Sequence, residues 1–392
     1  MNEPMSRRML MLRGVKWGGG AVALGAGLPA LLAACGSSSS SSDAATTAAA
    51  AETTAAGTAT TAAATAGSDT TAAAAAADLG KLSLRLSWIK NSEFAGSYAA
   101  DDQGFYTANG FSSVDLIAGG PSAQPAEVDV QSGKALVGIS APDLVAAAIA
   151  QGAKLRIIGA QYQKNPFCVM SLASKPVKSP EEMYGKTFGL QAANQVVWDA
   201  FVKASGIDDS KITKVPAQFD PSPLANGEVD TWFSFVTNEP NTLKVAGVDT
   251  ATFLLADFGY PLVSEVYVVR EESLTKDREA LKAFLKSEIQ GWGAVYADPM
   301  LGAKLTTEKY GKDLGLETDE QKLEVDSENT LIWTDETKAN GVFTISDALI
   351  KENIDVLSKS GLAITAEGLF DMSVLAEVYQ ENPDLMTPPT PK

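Results

Sequence analysis

Two acidic and aromatic clusters carry most of the chemistry that this chain could do. Trp88 closes the run Leu82–Trp88, in which apolar and polar residues alternate, and Asn91, Glu93 and Phe94 follow at once. Further on, Trp232-Phe233-Ser234-Phe235 leads into Asn238-Glu239-Pro240. Indole and phenyl faces stack on planar solutes, and Asn and Glu supply donors and acceptors beside them. That is the chemistry of capture. Catalysis fits poorly, because none of the 392 residues is a histidine. Ser-His-Asp and Cys-His nucleophilic systems and imidazole metal sites are therefore excluded. Gly119-Gly120-Pro121-Ser122 lacks the Gly-Lys-Ser/Thr ending of a phosphate loop. Gly185-Lys186-Thr187 lacks the upstream glycine and precedes a strand pattern. No catalytic residues, cofactor motif or metal cluster emerge. Paired carboxylates such as Glu93 and Glu239 are the one acid–base option that stays open.

These clusters sit in a long body behind an unusual front end. Arg7, Arg8, Arg13 and Lys16 precede an uncharged stretch from Gly18 to Ala34, too short and too rich in Gly and Ala for a transmembrane span. It ends in Leu32-Ala33-Ala34-Cys35, which resembles the lipobox of bacterial lipoproteins and implies an acylated Cys35. Acyl chains contribute roughly 0.8 kcal/mol per buried CH₂, so two chains hold a soluble domain at a bilayer. Ser6-Arg7-Arg8-Met9-Leu10 is compatible with twin-arginine export and with an ordinary basic leader. Residues 36–78 are almost wholly Ser, Ala, Thr and Gly and are expected to form a disordered tether. A flexible coil of that length has an end-to-end distance of about 35–40 Å.

The net charge of −17 argues against nucleic acid and against anionic lipid as direct ligands. With Cys35 in the lipobox, Cys168 has no partner. Its neighbours Phe167, Val169 and Met170 make it a small core residue.

From Leu79 onward, short apolar strands alternate with helical segments, which predicts two α/β lobes with largely parallel sheets. Strand patterns at 82–88, 114–118, 135–139 and 155–160 build the first unit, with a helix over 94–109. The rhythm restarts after Pro176, and a strand over 263–270 returns to the first unit ahead of long helices. The expected division is lobe 1 over 79–172 and 262–392 and lobe 2 over 173–261. The chain then crosses twice, near 162–176 and 258–264, as a two-crossing hinge. The acidic patch around Glu317–Glu328 reads as a solvated helix face.

Several pieces stand in an order that carries a family resemblance. They are Trp88-Ile89-Lys90-Asn91 with Tyr98 and Gly104-Phe105-Tyr106, Val137-Gly138-Ile139-Ser140, and Ile158-Gly159-Ala160-Gln161-Tyr162. Ser179-Pro180-Glu181-Glu182-Met183, Gly185-Lys186 and Asn238-Glu239-Pro240 follow. The set resembles the NMT1/THI5-like solute-binding proteins. That resemblance implies the fold of type-2 periplasmic binding proteins, with a ligand in the cleft between lobes, captured by hinge closure. It also implies a monomeric, extracytoplasmic component delivering its solute to an ABC permease and its ATPase. The solute would be a thiamine-type pyrimidine or a flavin. A sulfonate or nitrate, or service as a surface sensor, is the alternative.

Within the resemblance, Asn91 and Glu239 match polar residues of the family pattern. Glu93 and Phe94 depart from it, Phe94 standing where the family has His. Trp88 either stacks on the solute or packs its loop, and Glu93 either enters the cleft or is solvated. Trp232 and Phe235 are expected to box the ring beside Glu239. Ser122, Ser140 and Asn194 either contact the solute or cap helices. Gln161 and Tyr162 stand at the first crossing and are candidates for the cleft.

Overall fold

In the computed structural model, residues 78–391 are described. The leader, Cys35 and all of the tether except Asp78 lie outside them. The period-two apolar runs become ten strands: β1 (Lys81–Arg85), β2 (Ser113–Ile117), β3 (Val137–Ser140), β4 (Leu155–Tyr162), β5 (Phe167–Leu172), β6 (Thr187–Gln191), β7 (Thr213–Ala217), β8 (Thr231–Phe235), β9 (Thr250–Leu254) and β10 (Ser264–Arg270). They form two five-stranded sheets of matching order, β2-β1-β3-β10-β4 and β7-β6-β8-β5-β9. Each sheet has three parallel strands at one side and an antiparallel strand inserted beside them. The inserted strand is in each case the one that has just crossed from the other sheet. The sheets are therefore mixed, where the alternating rhythm predicts largely parallel ones.

β5 and β9 go beyond the sequence reading. β5 pairs with both β8 and β9, so it belongs to the second lobe. The first crossing is thus at residues 163–166, and the 172/173 boundary places β5 in the wrong lobe. The helix expected over 94–109 is broken at Gly104, whose φ of 74° suits a residue without Cβ. It becomes two helices, Ala95–Asp102 and Phe105–Ala108.

Two large cores hold the fold. The first packs the helix Arg278–Ala297 on Ala95–Asp102 and the first sheet, burying Tyr98, Tyr267, Phe284 and Trp292. The helices touch closely, since a Cβ at Gly291 would lie 2.1 Å from the Gly96 carbonyl. The second core spans both lobes, from Val145, Ile157, Val268 and Leu357 to Phe188, Trp198, Phe201 and Phe233. The lobes therefore share apolar packing in addition to the two crossings. Both crossings are tied down: Gln163 N donates to the Leu331 carbonyl (3.1 Å), and Val263 N donates to Asn353 Oδ1 (3.0 Å).

The acidic patch is solvated only in part: Glu317 and Asp319 are exposed, but its inward face is not. The helix Thr318–Ile332 buries Glu320, Gln321, Glu324, Glu328 and Asn329. Glu320, Glu324 and Glu328 recur every four residues, which places them on one face. That face packs toward β4, the Ser92–Phe94 turn and the helix Glu239–Val245. Among the described residues no helix is long and apolar enough to cross a membrane.

Candidate functional site

In open α/β sheets, crevices form beyond the carboxyl ends of the parallel strands. Here the chain leaving β1, β2, β3, β6 and β8 converges with the first residues of β5 and β10 on a cavity of about 400 Å³. Trp88, Phe167 and Phe235 supply aromatic wall, and Ile139, Leu144 and Val196 aliphatic wall. Phe235 stands edge-on to Phe167, with ring centroids 4.4 Å apart.

The loop after β2 forms one rim. The buried Arg85 pairs with Asp129 at 3.0 Å and donates to the carbonyls of Ala118 and Gln124. Gly119 passes so close to β1 that a Cβ there would lie 2.5 Å from the Ser87 carbonyl. Across the cleft, Ala193 N donates to the Pro121 carbonyl (3.2 Å), so the two lobes touch at the rim.

Four carboxylates line the cavity, Glu93, Glu127, Glu239 and Glu265, and no Lys or Arg does. Ser87 Oγ lies 2.9 Å from Glu93 Oε1 and 2.8 Å from Glu265 Oε2. A hydroxyl donates one proton, so one of the two carboxyls must donate the other. Burial pushes Glu93 up to about 7, against the opposing hydrogen bond from Ser87. Burial, and then the charge of Glu93, hold Glu265 well above the usual carboxylate range. Glu265 also has a φ of 48°, an uncommon backbone for a residue with Cβ. Glu239 heads the helix Glu239–Val245, and its Oε2 accepts from Ser234 Oγ (2.7 Å) and Phe235 N (3.0 Å). Burial raises it to about 7 as well. Glu127 accepts from Ser140 Oγ and is raised by burial.

Six of the eleven expected ligand residues line this cavity: Trp88, Glu93, Ser140, Asn194, Phe235 and Glu239; Ser122 joins them. Five do not. Asn91 turns inward, donating from Nδ2 to Glu324 Oε1 (2.6 Å), and its Oδ1 has no partner. Phe94 is wholly buried in the first core, where an apolar ring replaces the imidazole of the family pattern. Gln161 and Tyr162 are wholly buried and do not line the cavity, and neither amide atom of Gln161 has a partner. Trp232 corrects the expected box. Side chains alternate along a strand, so Trp232 and Phe235 leave β8 on opposite faces. The indole lies over Gly189 in a small core with Met170 and Leu224.

Ser87, Glu127, Phe167 and Glu265 line the site without having been singled out. Glu265 had a signal, a carboxylate inside an otherwise apolar strand, since such residues are seldom buried without a purpose. Glu127 had none. Among the described residues, no three His, Cys, Asp or Glu side chains are placed to hold a metal ion.

Residues 91–300 match the family described as NMT1/THI5 like. A riboflavin-binding protein of Chloroflexus aurantiacus is 24% identical over 226 residues, 56% of this chain and 64% of that protein. The chain thus spans just under two thirds of that relative's length. A formylaminopyrimidine-binding protein of Halalkalibacterium halodurans is 23% identical over 239 residues, 59% of this chain and 71% of the relative. Among solved structures, the periplasmic nitrate-binding protein of Synechocystis superposes with a TM-score of 0.56 at 10% identity, covering 80% of this chain and 93% of that one. That likeness concerns the fold. A match over more than half the chain, on two α/β lobes around a cleft, makes this protein a member of the NMT1/THI5-like family with a periplasmic-binding-protein fold.

Proposed function

We propose that this protein captures a small planar heteroaromatic solute, of the thiamine-pyrimidine or flavin class, between its lobes without transforming it. The observation that carries this reading is the composition of the cavity. Trp88, Phe167 and Phe235 give flat apolar walls, and Ser, Asn and Glu side chains offer hydrogen bonds at their margins. A volume of about 400 Å³ lies within the range of small-molecule pockets. The names of the riboflavin- and formylaminopyrimidine-binding relatives support the same class. A sulfonate or nitrate is disfavoured, because such anions call for Arg, Lys or free amides, and carboxylates stand here instead.

On this reading the protein is the solute-binding component of an ABC importer. It acts as a monomer on the extracytoplasmic face, anchored by lipid on Cys35 and handing its solute to a permease. Native mass spectrometry of the protein purified from cell extract, followed by identification of the released molecule, tests the solute class. A flavin or an aminopyrimidine is the expected release. A bound sulfonate would overturn the class and leave the fold untouched.

A further inference from the structure

The cavity carries more carboxyl groups on and behind one wall than a neutral solute requires, with no cation beside them. Glu93 and Glu265 line it, and Glu324 and Glu328 stand directly behind them on the helix Thr318–Ile332. Groups facing Glu93 are Ser87, Asn91, Glu239, Glu265, Glu324 and Glu328, with the hydroxyls of Tyr98 and Tyr162 alongside. None of them is a cation. Arg85 lies near Glu127, but its guanidinium is engaged by Asp129 and by three carbonyls, those of Ile117, Ala118 and Gln124.

Glu288 shows what a buried structural carboxylate looks like in this fold. It is wholly enclosed and accepts from the hydroxyls of Ser97, Tyr106 and Tyr267. Glu328 is equally enclosed, yet neither of its oxygens has a hydrogen-bond partner, although the Tyr162 hydroxyl faces it. The Asn91 Oδ1, the Tyr162 hydroxyl and the Tyr98 hydroxyl around it are also unpartnered. Leaving such groups buried and unmet is costly, and more so for charges than for neutral atoms.

We propose that this wall of the cavity selects a planar solute bearing positive charge, such as an amidinium-type ring or a protonated amino-heterocycle. The charged edge would sit against Glu93 and Glu265, with the field of Glu324 and Glu328 behind it. The ring would lie against Trp88, a face that also attracts cations. Solute positive charge supplies what the site lacks. Seating it favours the ionised form of carboxyls whose ionisation burial opposes, so binding releases protons.

The inference rests on the planar-solute reading, and the test separates the two. Benzamidine, benzamide and benzenesulfonate share a ring and differ in charge. Isothermal titration of the purified full-length protein at pH 7, in two buffers of different ionisation enthalpy, compares them with riboflavin and 4-aminopyrimidine. Benzamidine is expected to bind at least tenfold more tightly than benzamide, with proton release, and benzenesulfonate not at all. Glu265→Gln is expected to lower benzamidine affinity at least tenfold. Glu328→Gln, which does not line the cavity, lowers it less and reduces proton release. Both variants replace a carboxyl whose ionisation burial opposes with a neutral amide of the same shape, so both should stay folded, as circular dichroism melting will show. Equal binding of benzamide or benzenesulfonate overturns the proposal, as does unchanged benzamidine affinity in folded Glu265→Gln. Riboflavin binding without benzamidine binding overturns it while leaving the planar-solute reading intact. Failure of every planar probe overturns both.

Discussion

Thr242, on a helix of the second lobe, donates its hydroxyl to Glu320 on a helix packed in the first, across 2.8 Å. Asn241 reaches Ser327 beside it at 3.4 Å. With the Ala193–Pro121 backbone contact, these bonds join the two lobes. Thr242→Val removes one of them. A hydrogen bond of this kind contributes about 0.5–1.5 kcal/mol, so solute affinity should fall about two- to tenfold. Small-angle scattering of the solute-free variant should show a larger radius of gyration. No change in either quantity would mean that the contact has no part in closure.

Trp88 and Trp232 should separate in their effect on solute binding, although both are buried core residues. Trp88→Ala is expected to weaken planar-solute binding about 5- to 150-fold, on the order of the 1–3 kcal/mol per base found for base stacking on aromatic side chains. Trp232→Phe should leave affinity in place and lower the melting temperature, because its indole fills a core over Gly189. Titration calorimetry and thermal melts on the same pair of variants distinguish the roles.

The raised carboxyls make stability depend on pH in a stated direction. Glu93 and Glu239 ionise near 7 in the folded protein and near 4.5 when unfolded. Between those values the folded state binds more protons, so stability falls as pH rises from about 4.5 to above 7. The lowered acids Asp208, Asp230, Glu272 and Glu377 act only below their ordinary range, outside this window. The melting temperature of the solute-free protein should therefore drop between pH 5 and pH 8. The double variant Glu93→Gln/Glu239→Gln should flatten that slope, and a slope unchanged in the variant would locate the effect elsewhere.

Gly119→Ala tests the rim. The added methyl would meet the Ser87 carbonyl at 2.5 Å, and both are backbone-fixed neighbours of the cavity. The expected cost is about 1–3 kcal/mol, shared between stability and solute affinity as the loop shifts away from β1. An affinity and melting point equal to those of the parent would show that the loop gives way freely.

Anchoring has its own test in the leader. Cys35→Ala should move the protein from the membrane fraction to the soluble fraction without altering solute binding. Membrane retention in that variant would point to a different attachment.

The fold was legible because its evidence is local. Period-two apolar runs, helix-period runs and the ordered family motifs each lie within a few residues, and they mark two lobes and a return crossing. Trp88 and Glu239 could be placed at the cleft because each stands just beyond a strand that the local pattern identifies. The missing histidines were likewise a matter of sequence alone.

Tertiary structure decided what one strand face or one long-range pair controls. Ser87 meets Glu265 across 178 positions of chain and Asn91 meets Glu324 across 233, distances over which no local pattern carries information. The side-chain alternation of β8 separated Trp232 from Phe235, and β5 and β9 found their places only by pairing with strands far away in sequence. Four-residue spacing put Glu320, Glu324 and Glu328 on one face of a helix in the sequence itself. Whether that face met water or the protein interior depended on what packed against it, and packing is a property of the whole chain.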